Sequence, residues 1–192
     1  MSLRIIAGER RGAALATPKG LQTRPTLGRV RGSLFMILMP ELPGARVLDC
    51  FAGCGALGLE ALSRGAAYAV FIEHSRPALE ALRANIEKLR WAGRTRIVAR
   101  EALAWLTQAA PAAEPFDLIL LDPPYGRDLC HRAMQRLADR QALWLHPHGV
   151  VVAQHGRDDP LQDQYGSLHA LRNEAYGETR IAFYRPHGYG GS

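Results

Sequence analysis

The strongest constraint on the fold is a change of pattern at Arg46. From there, short apolar runs alternate with segments whose apolar residues recur every three or four positions. The pattern predicts strands over Arg46–Phe51, Tyr68–Glu73, Arg96–Ala99, Phe116–Leu121 and Gly149–Ala153. It predicts helices over Ala56–Ser63, Pro77–Trp91, Ala102–Ala109 and Leu129–Asp139. Strands separated by helices pair in parallel, because the helix carries the chain back along one face of the sheet. The expected fold is therefore α/β, a mostly parallel sheet with helices on both faces. A final pair, Leu168–Asn173 and Thr179–Tyr184, meets at Tyr176-Gly177 and reads as an antiparallel hairpin.

Ahead of this lies a different region. Leu3–Ala7 and Ala13–Thr17 flank Gly8 and Gly12 and read as a small hairpin. Pro25 presets a turn, Thr26 is the expected helix cap, and Val30, Leu34, Ile37 and Leu38 follow at helical spacing. The expected division is a basic extension over 1–43, the sheet domain over 44–186 and a disordered glycine-rich tail over 187–192. The net charge of +6 lies entirely in the first 40 residues, which hold seven basic side chains and one acid. The remaining 152 residues balance 17 bases against 17 acids. A localised positive field of arginines attracts phosphates, so Arg10, Arg11, Lys19, Arg24, Arg29 and Arg31 are the candidate nucleic-acid contacts. A solvated basic face, with Arg29 or Arg31 paired to helix acids, is the plainer alternative.

The first strand runs into Asp49-Cys50-Phe51-Ala52-Gly53-Cys54-Gly55-Ala56-Leu57-Gly58. Glycines between a strand and a helix let the backbone turn tightly and approach a ligand. Glu73, closing the second strand, can accept two ribose hydroxyls. A dinucleotide would bring its pyrophosphate to this turn, where the Asp49 carboxylate would repel it. Asp49 suits instead a cationic amino-acid group, which favours S-adenosylmethionine. Glu101 and Ala102, past the third strand, are candidates for the adenine edge, although Glu101 could equally serve the helix N-terminus. Phe51 and His74 complete the expected cofactor set.

The fourth strand ends in Asp122-Pro123-Pro124-Tyr125. An amine attached to a nucleobase is a poor nucleophile because its lone pair is delocalised into the ring. Two acceptors that draw its hydrogens out of the ring plane restore the nucleophile. Asp122 and the Pro123 carbonyl can do this, Pro124 fixes the turn, and Tyr125 offers a stacking face. The four residues are the candidate catalytic set.

Asp49…Gly53-Cys54-Gly55, Glu73 and Asp122-Pro123-Pro124-Tyr125 resemble the class I amino-methyltransferases, with their Rossmann-like fold. More narrowly, Arg24-Pro25-Thr26-Leu27-Gly28-Arg29-Val30-Arg31, the stretch Phe51–Gly65 and Tyr176-Gly177…Phe183-Tyr184 resemble the RsmD-type 16S rRNA guanine-N2 methyltransferases, over about Leu3 to Arg185. The resemblance implies a seven-stranded sheet and a guanine in small-subunit rRNA, conventionally guanine 966, methylated in assembled particles. The chain departs from that pattern at Gly32, Met36, Cys54 and Gln154, where Glu, Asn, Ser and Glu are usual.

Three cysteines, Cys50, Cys54 and Cys130, give neither a disulfide framework nor metal spacing. With no secretory pattern and no apolar run of membrane length, the expectation is a cytoplasmic monomer without metal or membrane attachment. Three other functions remain open: adenine-N6 methylation of DNA or RNA, nicotinamide-dependent oxidoreduction, and RNA binding without catalysis.

Overall fold

The computed structural model describes residues 3–18, 25–107 and 115–187. They fall into two units, Met1–Glu101 and Ala102–Ser192. In the first, β1 (Arg46–Asp49), β2 (Tyr68–Glu73) and β3 (Thr95–Ala99) run parallel in the order β3-β2-β1. Val47, Leu48, Ala69, Phe71 and Ile72 are all 0% exposed. Such continuous apolar burial is typical of parallel strands, and each fully buried large side chain stabilises by roughly 1.5–3 kcal/mol. Between the strands come α2 (Ala56–Ser63) and α3 (Arg76–Leu89). On α3, Ala78, Leu79, Leu82, Ile86 and Leu89 form the buried stripe. The helix stops at Arg90, which turns into the left-handed region at φ 60°.

The register ends β1 with Asp49 opposite Phe71 and ends β2 with Glu73 opposite Ala99. Both carboxylates therefore leave the sheet at its C-terminal edge. α1 (Pro25–Ile37) begins one residue before Thr26, so Thr26 lies within the first turn and not at the cap. Val30, Leu34, Phe35 and Leu38 are buried as the spacing predicts. The N-terminal hairpin is reduced to one antiparallel bridge, Arg4 with Ala14. It is closed by Ile5 N–H to the Ala13 carbonyl (3.0 Å) and Leu15 N–H to the Leu3 carbonyl (2.9 Å).

The second unit orders its strands β4-β5-β8-β7-β6. β4 (Phe116–Leu121) is parallel to β5 (Leu145–Gly156); β8 (Thr179–Pro186), β7 (Leu168–Tyr176) and β6 (Gln164–Tyr165) add antiparallel pairs. α4 (Ala102–Leu106), α5 (Leu129–Asp139) and a four-residue α6 (Gln141–Trp144) accompany them. Trp105 and Trp144 pack ring on ring at 4.5 Å between centroids.

Two expectations change. The described residues form eight strands, the two-residue β6 being one more than the seven expected. β5 extends well beyond Gly149–Ala153 at both ends, continuing through His155 and Gly156, because β8 pairs with it as far as Thr179. Within the first unit, α2 and α3 hold the N-terminal segment by the buried bonds described below. Among the described residues no helix is long and apolar enough to cross a membrane. The tail from residue 188, and Lys19 and Arg24, lie outside them.

Candidate active site

The glycine loop is built from three requirements. Gly55, which precedes α2, sits at φ 87°, and a Cβ there would lie 2.5 Å from Leu82 Cδ1. A Cβ on Gly58 would lie 2.3 Å from Cε1 of the buried Phe71 ring. Gly53 differs: at φ 53° it is left-handed, yet open space surrounds the position of its missing Cβ. Gly55 and Gly58 are thus demanded by packing. Gly53 is demanded by the turn and leaves a bare cradle above the backbone.

Glu73 holds this loop from the end of β2. Its Oε2 accepts Gly53 N–H (2.8 Å), and its Oε1 accepts the N–H groups of His74 and Ser75 (2.7 Å each). A carboxylate has about four acceptor positions, so Glu73 keeps capacity for hydroxyls of a ligand lying on Gly53. Its side chain is 11% exposed and that of His74 70%. Phe51 is half-buried just beyond β1, Glu101 is exposed just ahead of α4, and Ala102 is buried in the first turn of α4. A bare glycine cradle beside a hydroxyl-accepting carboxylate fits the sugar of an adenosyl group.

Asp49 is engaged by the loop itself. It is 1% exposed, and its Oδ2 accepts Gly58 N–H at 3.0 Å. The first turn of a helix leaves donors without intrahelical partners; Asp49 satisfies one of α2 and shapes the loop from behind.

Two anchors carry no local sequence signal. Glu60 on α2 is 0% exposed and accepts Ile6 N–H (2.8 Å), Ala7 N–H (3.1 Å) and Arg64 Nε (2.7 Å). Asn85 on α3, also 0% exposed, accepts Ala16 N–H (2.7 Å) and donates to the carbonyls of Ala16 (3.0 Å) and Cys54 (2.9 Å). One amide thus joins the N-terminal segment to the glycine loop. Cys54 itself is buried, which pushes its thiol pKa up.

Arg31, expected at phosphates, is placed differently. It is 7% exposed, its Nε lies 3.9 Å from Glu60, and it donates to the Arg4 carbonyl. Burial lowers its pKa. The α1 face that carries it packs inward, so it braces the fold and does not face phosphates. Arg10, Arg11 and Arg29 are exposed as expected.

In the second unit β4 delivers Asp122-Pro123-Pro124-Tyr125. Asp122 is half-buried and Pro123 buried, while Tyr125 is 41% exposed. Gln154 on β5 donates from Nε2 to Asp122 Oδ1 (2.7 Å) and to the Tyr125 hydroxyl (3.1 Å); that hydroxyl donates to Thr179 Oγ1 (3.2 Å). The Tyr125 ring packs over Gly156, where a Cβ would lie 3.4 Å from it. Burial pushes Asp122 up to about 7. It also raises the Tyr125 pKa, against the hydrogen bond to Thr179, which lowers it. Cys130 on α5 is pushed up to about 12, first by burial and then by Asp122 and Asp159. A pocket lined by Pro123, Pro124, Tyr125, Gln154, His155 and Asp159 opens beside the tetrapeptide. The arrangement offers an aromatic face and an acceptor whose proton equilibrium lies near neutrality. Among the described residues no cluster of three or more His, Cys, Asp or Glu side chains suits a metal ion.

A strand, glycine loop and helix with an acid closing the next strand, followed by Asp-Pro-Pro-Tyr on the fourth strand, define a Rossmann-like methyltransferase fold. The solved structure of yhhF from Escherichia coli matches it with a TM-score of 0.85 at 34% identity, covering 97% of this chain and 98% of that one. The ribosomal RNA small subunit methyltransferase D of Escherichia coli (strain K12) is 35% identical over 190 residues, 99% of this chain and 93% of the relative. Its namesake from Haemophilus influenzae is 35% identical over 161 residues, 83% and 81%. The chain belongs to the family described as Conserved hypothetical protein 95, which matches residues 3–185. The resemblance drawn from the sequence motifs agrees with this family and these relatives.

Proposed function

We propose that the chain is an S-adenosylmethionine-dependent methyltransferase acting on the exocyclic N2 of a guanine in 16S rRNA of the small ribosomal subunit. The observation that carries the chemistry is the Asp122 carboxylate, held at 2.7 Å by a neutral amide beside the exposed Tyr125 ring. When bound, S-adenosylmethionine supplies a methyl group on a cationic sulfur. Gly53 and Glu73 would hold its adenosyl part, with Glu73 accepting the sugar hydroxyls; Phe51, His74, Glu101 and Ala102 would complete that site, and Asp49 shapes the loop.

Tyr125 stacks on the target base while Asp122 and the Pro123 carbonyl accept the two amine hydrogens. This turns the nitrogen lone pair out of the ring plane. As the nitrogen takes the methyl group, Asp122 faces the new positive charge and receives the proton that is shed. Preorganised charge of this kind is worth about 10²–10³ in rate. The choice of small-subunit rRNA rests on the names of the relatives and on the exposed Arg10, Arg11 and Arg29, which suit phosphates. Such a substrate places the protein in the cytoplasm, where we take it to act as a monomer.

The test is incubation with labelled methyl donor and undermethylated small subunits, naked rRNA or DNA, followed by nucleoside analysis. Label in N2-methylguanosine, largely from subunits, is expected. Label in N6-methyladenosine would overturn the choice of base, and no transfer to any of the three would overturn the proposal.

A further inference from the structure

We propose that Gln154 is a positioning residue that fixes the Asp122 carboxylate and the Tyr125 ring in one working geometry by bonding both at once; this rests on the methyl-transfer function above. Gln154 is 6% exposed, and its backbone pairs with Ile181 of β8. An amide nitrogen has two hydrogens. One goes to Asp122 Oδ1 at 2.7 Å and the other to the Tyr125 hydroxyl at 3.1 Å. The Tyr125 hydroxyl passes its own hydrogen to Thr179 on β8. Acceptor and stacking ring, which sequence places three residues apart on an irregular turn, are thereby tied to the paired strands β5 and β8.

The chemical identity of the tie matters as much as its position. Asp122 must accept hydrogen bonds from the amine, so it must be ionised. Burial works against that and pushes it up to about 7. The Gln154 N–H favours the ionised form, because a donor stabilises a carboxylate more than a carboxylic acid. A carboxylate at position 154 would set two acceptors against each other, and the pair would hold a shared proton. An apolar side chain would leave burial unopposed.

The other titratable groups around Asp122 do not replace this donor. The Cys130 thiol on α5 is pushed up to about 12 by burial and by the acids, and stays neutral near pH 7. Asp159, in the loop after β5, accepts the Gly126 N–H, and His155 is turned to the Gly156 carbonyl (3.0 Å). Tyr125 shares the Gln154 amide. Gln154 therefore sets both where the acceptor points and at what pH it works.

The experiment compares the full-length protein with Gln154→Met and Gln154→Glu. The Asp122 carboxyl is titrated by carbon-13 NMR, assigned through Asp122→Asn, and kcat and KM for RNA are measured from pH 5.5 to about 9. In Gln154→Met the Asp122 midpoint and the acid limb of kcat should both rise by about 1 to 2 pH units, the value of a hydrogen bond to a charged group. Corrected for the fraction of Asp122 that is ionised, kcat should fall about tenfold, with KM changed less than about twofold, as expected when an interaction made in the transition state is removed. In Gln154→Glu the titration should split into two coupled steps, the upper one above the wild-type midpoint. Midpoints and acid limbs unmoved in both variants would overturn the proposal, and either variant alone suffices if the other does not fold. Raised midpoints in proteins that methylate no RNA would support the hold on Asp122 and overturn the methyl-transfer function alone.

Discussion

Asp122 in the second unit is held in the opposite way to Asp49, Glu60 and Glu73 in the first. In the first unit, Asp49, Glu60 and Glu73 accept backbone N–H groups, from Gly58, from Ile6 and Ala7, and from Gly53, His74 and Ser75. In the second, Asp122 accepts a side-chain amide alone among the described residues, in surroundings that push it up to about 7. Backbone donors cannot leave unless the chain moves, so a carboxylate that takes them fixes a loop. A carboxylate with one neutral side-chain donor keeps acceptor capacity and a proton equilibrium near neutrality. The first arrangement builds a platform, and the second leaves a group able to react.

The largest effect that can break this comparison is at Glu60. Glu60→Ala would strand Arg31 and leave two N–H groups of the N-terminal segment without their acceptor. Removing one partner of a buried pair costs about 3–5 kcal/mol. Urea unfolding should show a loss of that size, and amide exchange at Ile6 and Ala7 should accelerate. A loss below about 1 kcal/mol would mean that the buried acid is no anchor.

Asp122→Asn tests the other half. Methyl transfer should drop about 10²–10³-fold, while stability moves the other way. Asp122 titrates near 7 when folded, against about 3.9 in an unfolded chain. Between these values the folded state binds a proton that the unfolded state releases, so stability falls as pH rises through that window. Asparagine escapes the penalty. At pH 8 the variant should therefore be more stable than the parent, by roughly 1–3 kcal/mol after allowing for partial exposure, and the gain should vanish near pH 4. In the parent, kcat should decline about tenfold per pH unit below the Asp122 midpoint. An Asn variant less stable than the parent at pH 8 would contradict the assignment of Asp122 as a destabilised group.

Two glycines sharpen the account of the platform. Gly58→Ala drives a methyl group into the Phe71 ring and should cost about 1–3 kcal/mol, as overpacking does. Gly53→Ala meets no atom and lies near the small left-handed region, so its backbone cost is about 1 kcal/mol. Its methyl group would instead occupy the cradle. Calorimetry with S-adenosylhomocysteine should find Gly53→Ala weakened more than its unfolding midpoint predicts, and Gly58→Ala mainly destabilised.

What the sequence disclosed follows from the range of the forces involved. α2, β2, β4 and α5 have the limits their patterns predict, because spacing and turn residues act locally. The glycine loop and Asp122-Pro123-Pro124-Tyr125 were legible because strand ends and turns need those residue types. Glu60 and Asn85 were not, since their partners lie 53 to 54 and 31 to 69 positions away. Arg31 misled because one helix turn separates an exposed arginine from a buried one, and only the packing of α1 decides between them. Asp49 was placed at the right strand end, where a carboxylate can serve either a ligand or a helix N-terminus; its bond to Gly58 N–H depends on where α2 begins. Gln154 stood out only as a departure from a family pattern; its two bonds depend on the register of β5.

The smallest expected effect separates the arginines themselves. Arg10 and Arg11 are exposed, whereas Arg31 is enclosed by Glu60 and the Arg4 carbonyl. If the exposed pair contacts phosphates, Arg10→Ala and Arg11→Ala should each weaken rRNA binding only a few-fold at moderate salt and leave the unfolding midpoint unchanged. Each should also flatten the slope of log affinity against log salt, by about 0.7 to 0.9 for every phosphate that is no longer neutralised. Arg31→Ala should lower stability instead and leave the salt slope of the remaining folded protein unchanged. The slope is the decisive quantity, because a destabilised protein binds less RNA at every salt concentration by the same factor. Salt slopes unchanged in Arg10→Ala and Arg11→Ala would remove the N-terminal segment from the RNA interface and leave its charge a solvated face.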